Sequence, residues 1–149
     1  MNLYEIIDQE IKKAMIAKDK LRLEVLRSAK TAFMESTTAK GASHELTEDQ
    51  SVTILQRMVK QRKDSATIYE EQNRSELAEQ ELKEVEVLQS YLPKQLTQEE
   101  LDKAVGVIIE QTGASSLKDI GKVMGKATKS LVGKAEGRLI ADTVRRLLS

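Results

Sequence analysis

A single proline, Pro93, separates two regions of helical character in a chain of 149 residues. Its ring disfavours helix at the preceding residue and removes a backbone donor, so a helix has to end at Leu92. The following segment Thr97-Gln98-Glu99-Glu100 is a capping box, in which two side chains satisfy backbone N–H groups at the start of a new helix. The sequence therefore predicts an N-terminal helical unit, residues 1–92, and a C-terminal one, residues 97–149.

Apolar residues recur at helical spacing along the chain, and no stretch has the pattern of a strand. A second capping box, Thr47-Glu48-Asp49-Gln50, opens a long third helix, and Asn73 can take the left-handed conformation that ends it. The segment around Gly41 is predicted to be a loop. We predict an all-α fold with helices over Leu3–Lys18, Lys20–Thr37, Thr47–Gln72, Ser75–Leu92, Thr97–Gly113, Leu117–Leu131 and Glu136–Leu148.

The side chains that usually carry catalysis or bind metals are scarce. The chain has no cysteine, which excludes disulfides and thiolate chemistry, and its one histidine, His44, falls in the predicted loop. The segment from Gly121 to Lys126 resembles a phosphate-binding loop but has three residues between its glycines instead of four, and Ala127 follows the lysine. We therefore predict no catalytic residue, no metal site and no cofactor.

The N-terminal segment is amphipathic, with charges every few residues, which is unlike the apolar region of a secretory signal. No run of about 18 apolar residues is present that would span a membrane. On these grounds we expect a cytoplasmic protein with no membrane partner.

Charge is unevenly distributed although the chain has no net charge. Residues 45–92 contain six basic and eleven acidic side chains, a balance of −5, whereas residues 117–149 contain eight basic and three acidic side chains, a balance of +5. A polyanion would therefore meet the C-terminal third of the chain. The alternative is that these basic residues form an ordinary solvated helix face.

Two glycines interrupt the sixth predicted helix, whose apolar positions all lie on one face. Gly121 and Gly125 each cost about 1 kcal/mol relative to alanine inside a helix, so we expect a compensating interaction. One turn apart, they let either a neighbouring helix or the sugar–phosphate of a ligand approach the backbone closely.

Beside them lies a basic ridge at spacings of four, four and three residues, formed by Lys118, Lys122, Lys126 and Lys129. Because the C-terminal third has no aromatic residue on which bases could stack, any nucleic acid bound there would be read by its backbone, as in a folded RNA.

Three motifs resemble those of the YqeY-like family: Tyr91-Leu92-Pro93-Lys94-Gln95-Leu96, Gly121-Lys122-Val123-Met124-Gly125 and Gly133-Lys134-Ala135-Glu136-Gly137-Arg138. The chain departs from that family at Asn73, where Gly is frequent, and at Glu136, where Asp is usual and where we expect a poorer cap for the final helix. The family comprises stand-alone relatives of the helical tail of the aspartyl/glutamyl-tRNA amidotransferase B subunit. The resemblance implies a four-helix unit followed by a three-helix unit. It also implies a role in holding tRNA, without catalysis by the chain alone.

These observations lead to one main hypothesis and two alternatives. The main hypothesis is a tRNA-binding accessory module that serves an aminoacyl-tRNA synthetase or an amidotransferase complex. Its candidate tRNA-binding residues are Lys118, Gly121, Lys122, Gly125, Lys126, Lys129, Lys134 and Arg138. The first alternative is a subunit of a carbon–nitrogen ligase with glutamine as amide donor, active only within a complex. The second is a protein-interaction module that uses the acidic surface of residues 45–92.

Overall fold

A computed structural model describes residues 1–38 and 45–149, and these residues form helices joined by turns and short irregular segments, with no strand among them. The prediction of an all-α fold is confirmed. The predicted loop at Gly41 and His44 lies outside the described residues. No helix of the described chain combines the length and the apolar content needed to cross a bilayer. The helices are α1 (Leu3–Ala17), α2 (Lys20–Thr38), α3 (Glu48–Glu71), α4 (Ser75–Gln89), α5 (Gln98–Thr112), α6 (Ile120–Ser130) and α7 (Gly137–Leu148).

Local capping chemistry sets several of these helix ends as predicted. At α3 the Thr47 hydroxyl accepts the backbone N–H of Gln50 at 3.1 Å, and the Gln50 side chain accepts the N–H of Thr47 at 2.9 Å. The same reciprocal pair joins Thr97 and Glu100 at α5, at 3.1 and 3.0 Å. Asn73, with φ of 58°, is left-handed between α3 and α4. Both capping boxes and the left-handed asparagine are confirmed.

Two predicted helix bounds are wrong. The fourth helix ends at Gln89, three residues before Leu92, because the backbone tightens there into successive turns. In these turns the Tyr91 N–H donates to the Leu88 carbonyl and the Leu92 N–H donates to the Gln89 carbonyl, both at 3.1 Å. The sixth helix begins with a 3₁₀ turn over Leu117–Asp119 before α6 starts.

The chain divides into two compact units, Met1–Leu92 and Pro93–Ser149. The first contains α1 to α4, with α3 and α4 in the most extensive helix–helix contact. Its largest fully buried side chains include Phe33, Ile7, Leu26, Leu55 and Leu88. An ion pair of 3.2 Å between Arg62 of α3 and Glu84 of α4 joins these two helices, with both side chains mostly buried.

The second unit contains α5, α6 and α7 around an aliphatic core, whose members include Leu101, Val105, Val123, Ala127, Ile140 and Val144. One polar side chain, Thr143, is buried with this core. Its hydroxyl donates to the Leu139 carbonyl at 2.8 Å and accepts the Gln98 side-chain amide at 3.1 Å, so the buried oxygen is satisfied. Val123 and Ala127 place one face of α6 in the core, which directs the opposite face outward.

Candidate nucleic-acid interface

The two glycines of α6 lie on its exposed face and have no packing role inside their unit. A Cβ atom added to Gly121 or Gly125 would meet no heavy atom within 4 Å. The sequence left open whether a neighbouring helix or a ligand approaches these positions, and no helix of this unit does so. The cost of glycine at these two positions, Gly121 in the first turn of α6 and Gly125 in its interior, is therefore not offset by helix packing within the unit.

A shallow, wide-open depression of about 850 Å³ lies along this face of α6, lined by α6 itself and by Val132 of the turn that follows it. Its walls are largely apolar, with Met124, Val132 and the Thr128 side chain beside the bare glycine backbone. Its rim is cationic and consists of Lys122, Lys126 and Lys129. We call this surface the glycine groove. It presents apolar contact and positive charge side by side, which suits the ribose and the phosphate of a nucleic-acid backbone.

All six predicted cationic residues are exposed, and within the described chain none of them has a carboxylate within ion-pair distance. The two other cations of the C-terminal third differ, because Arg145 pairs with Asp142 at 3.3 Å and Arg146 pairs with Asp102. The unpaired cations are Lys118, Lys122, Lys126, Lys129, Lys134 and Arg138. Positive charge in this region is therefore left uncompensated around α6 and neutralised on the far part of α7.

The six cations do not all line the groove. Lys122 and Lys126 lie about 6 Å apart along the helix axis, with Lys129 one turn further on the rim. Lys118 belongs to the preceding 3₁₀ turn, so the predicted ridge is not one continuous helical row. Lys134 lies in the turn between α6 and α7, and Arg138 lies in the first turn of α7. The structure thus places three of the six on the groove and three outside its lining.

A contact that the sequence did not predict fixes the turn between α6 and α7. The side-chain amide of Gln95 donates to the Gly133 carbonyl at 2.6 Å, and the backbone N–H of Leu96 donates to the Lys134 carbonyl at 2.8 Å. Gly133 itself is left-handed, with φ of 80°. Two of the motifs that carried the family resemblance therefore contact each other, which positions the backbone that bears Lys134. The available signal in the sequence was that both segments belong to motifs of the family resemblance. The sequence alone could not show that two residues 38 positions apart contact each other.

The start of α7 has a weak cap. Glu136 occupies the N-cap position but its side chain makes no capping hydrogen bond, which confirms that glutamate caps this helix poorly. A carboxylate on a longer side chain reaches the first-turn N–H groups less readily than Asp or Ser does. The backbone N–H groups of this turn therefore lack a side-chain cap near Lys134 and Arg138.

No arrangement for metal binding was found in the part of the chain that the structure describes, since no three His, Asp or Glu side chains there are grouped to hold an ion. His44 lies outside the described residues. The surface of α6 offers ammonium groups, the Thr128 hydroxyl and apolar side chains, and no carboxylate of the described residues lines it.

A family model described as Yqey-like protein matches residues 4–148, which is nearly the whole chain. The chain belongs to the YqeY-like family. It is also similar to the protein named Altered inheritance of mitochondria protein 41, mitochondrial, of several yeasts. The match to the Clavispora lusitaniae protein is 39% identical over 83 residues, covering 56% of this chain and 47% of that relative. The match to the Lachancea thermotolerans protein is 29% identical over 147 residues, covering 94% of this chain and 78% of the relative.

These names contradict the expected cytoplasmic location, because the relatives are named as mitochondrial proteins. The expectation was wrong in its reasoning as well. A charge-interrupted N-terminal segment is unlike a secretory signal, but that pattern does not distinguish the cytoplasm from an organelle.

Proposed function

We propose that this YqeY-like chain is a tRNA-binding accessory module whose glycine groove contacts the sugar–phosphate backbone of the RNA. One observation carries the proposal. Two glycines that have no packing role lie beside a rim of lysines that form no ion pair within the described chain. Glycine in a helix is unfavourable, and a ligand that approaches the bare backbone supplies the missing compensation. Lysines that are not neutralised by carboxylates supply the charge that phosphates require.

The composition of the surface favours a folded RNA over a single strand. Residues 93–149 contain no Phe, Tyr, Trp or His, so the C-terminal unit has no ring on which an extruded base could stack. Contacts to phosphate and ribose depend on the shape of the backbone and carry little sequence information. The resemblance to the amidotransferase tail supports tRNA as the folded RNA in question.

In this proposal the chain consists of a four-helix unit and a three-helix unit, and the three-helix unit holds the RNA. The chain carries out no chemistry alone, and it serves an aminoacyl-tRNA synthetase or an amidotransferase complex. Lys118, Lys134 and Arg138 lie outside the groove lining and would contact phosphates further along the same RNA.

The direct test is equilibrium binding of tRNA to the full chain at low salt, comparing the parent with Lys122→Ala combined with Lys126→Ala. We expect affinity to fall about five- to thirty-fold, because each exposed ionic contact contributes up to about 1 kcal/mol. The fall should be similar for different tRNAs, since phosphate contacts do not read sequence.

The matched control is Lys103→Ala combined with Arg145→Ala, which removes the same charge from the same unit. Both of these cations are exposed and paired with carboxylates, Lys103 with Glu99 at 3.7 Å and Arg145 with Asp142. The control should bind tRNA within about twofold of the parent, because its cations are already neutralised. Equal binding by the parent and the groove variant would refute the proposal.

A further inference from the structure

One face of α4 is exposed on the first unit, and at Glu79 it borders a surface cavity shared with Lys20 of α2 and with Lys83. Ser75, Glu79, Leu82 and Glu86 recur at spacings of four, three and four residues, which places them on one face of the helix, and all four are exposed or nearly so. Leu82 is 45% exposed, which is high for a large apolar side chain between two glutamates. Within the described chain neither Glu79 nor Glu86 takes part in an ion pair. We call these four residues the α4 face.

The α4 face and the glycine groove are complementary. The α4 face presents a leucine with a carboxylate about one turn to either side. The groove presents apolar walls and bare backbone with ammonium groups along its rim. A helix that lays an apolar side chain into a groove, with charges matched alongside, is a recurrent mode of protein recognition. The glycines at the groove floor allow a second helix to come close.

We propose that the α4 face of one molecule docks into the glycine groove of a second molecule of the same chain. The second copy is the occupant to which the structure points, because the α4 face and the groove each supply the charge that the other lacks. The chain as a whole has no net charge, so no overall repulsion opposes the approach of another copy. The contact joins different surfaces of the two molecules, so it is a heterologous contact.

One consequence rests on the function proposed above. RNA and the second molecule use the same groove, so each displaces the other, and binding of tRNA should dissociate the assembly. Free chain would then be stored in a self-associated form from which RNA releases single molecules.

The test is sedimentation velocity on the full chain over a range of concentrations at low and high salt. We expect the mean mass to rise with concentration at low salt and to return to that of a monomer at high salt, because exposed charges are screened. A chain that stays monomeric at low salt and high concentration would refute the inference.

Charge reversal tests whether opposite charges on these two surfaces hold the molecules together. Glu79→Lys with Glu86→Lys should abolish association, and so should Lys122→Glu with Lys126→Glu. An equal mixture of the two reversed proteins should associate again, since each altered surface then faces one of opposite charge. Association that persists in either reversed protein alone, or that the mixture fails to restore, would overturn the proposal. Leu82→Ser, which leaves every charge in place, should also weaken the association.

The matched control is Glu70→Lys with Glu71→Lys, which changes net charge equally at two exposed positions outside the α4 face. It should still associate. Circular dichroism of each variant must show the helicity of the parent. Addition of bulk tRNA is a separate measurement, so failure of tRNA to bind would refute the proposed function while the mixing result still decides the self-association.

Discussion

At the scale of single residues, the sequence identified an anomaly that only the structure could resolve. Gly121 and Gly125 were recognisable as unfavourable residues inside a helix, because helix propensity is a local property. What lies opposite them is a tertiary property, so the sequence left a neighbouring helix and a ligand as equal possibilities. The open space above both glycines excludes helix packing within the unit as the reason for their presence.

This account makes opposite predictions for stability and binding when the glycines are replaced. Gly121→Ala with Gly125→Ala should raise the free energy of unfolding, by about 0.5 to 1 kcal/mol at Gly125 and by less at Gly121 in the first turn, because a methyl group there meets nothing and alanine favours helix. Affinity for tRNA should fall several-fold, because the methyl groups hold the RNA away from the backbone. Urea denaturation and equilibrium binding measure the two effects.

Gly106 provides the control for that experiment, since it also lies inside a helix with open space where a Cβ would be, but on α5. Gly106→Ala should stabilise the chain to a similar extent and leave tRNA affinity unchanged. Loss of stability in the α6 double variant would show that its glycines are needed for packing after all.

The charge cluster between α3 and α4 gives a pH-dependent prediction. Burial raises the pKa of the Glu81 carboxyl, and the negative charge of Glu84 raises it further, although Arg62 opposes them. Because the folded state holds this proton more tightly than the unfolded state does, stability falls as pH rises from the unfolded pKa to the folded pKa. Glu81→Gln should remove that fall and stabilise the chain at neutral pH, as measured by urea denaturation across the acidic range. A variant less stable than the parent at neutral pH would show that the carboxylate is stabilising.

At the scale of helices and turns, the first residues of the helices were predictable from the sequence, and their last residues were less so. Thr47 and Thr97 marked their helices because a capping box is contained in four consecutive residues. Pro93 fixed only the last residue that could be helical, and α4 ended three residues earlier at Gln89, where the chain tightened into turns. Hydrophobic spacing likewise could not distinguish the 3₁₀ turn before Ile120 from the α-helix that follows.

The link from Gln95 to the turn between α6 and α7 is testable at this scale. Gln95→Ala removes the donor to the Gly133 carbonyl, which lies on a buried residue, so the free energy of unfolding should fall by about 1 to 2 kcal/mol. Thermal or urea denaturation followed by circular dichroism measures it. Gln111→Ala, at an exposed position of α5, is the control and should change stability by no more than about 0.5 kcal/mol. Equal stability of the two variants would show that the Gln95 contact does not hold the turn.

At the scale of the whole molecule, the division of charge was visible in the sequence, but its meaning was not. Counting charges separated an acidic region from a basic one, yet it could not show that Arg145 and Arg146 are neutralised while the cations around α6 are free. That difference arises from an i,i+3 pair within α7, Asp142 with Arg145, and from the contact of Arg146 with Asp102 of α5, neither of which a count contains. The compartment was predicted wrongly for a similar reason, since composition does not encode it.

The central claim is that the free lysines of the glycine groove bind phosphates, and the salt dependence of tRNA affinity tests it most directly. The slope of log affinity against log salt measures how many counterions binding releases. For Lys122→Ala with Lys126→Ala the slope should flatten by about 0.7 to 0.9 for each phosphate that the variant no longer neutralises. The control Lys103→Ala with Arg145→Ala should keep the slope of the parent. If the groove variant and the parent have the same slope, these lysines are an ordinary solvated helix face and the claim is wrong.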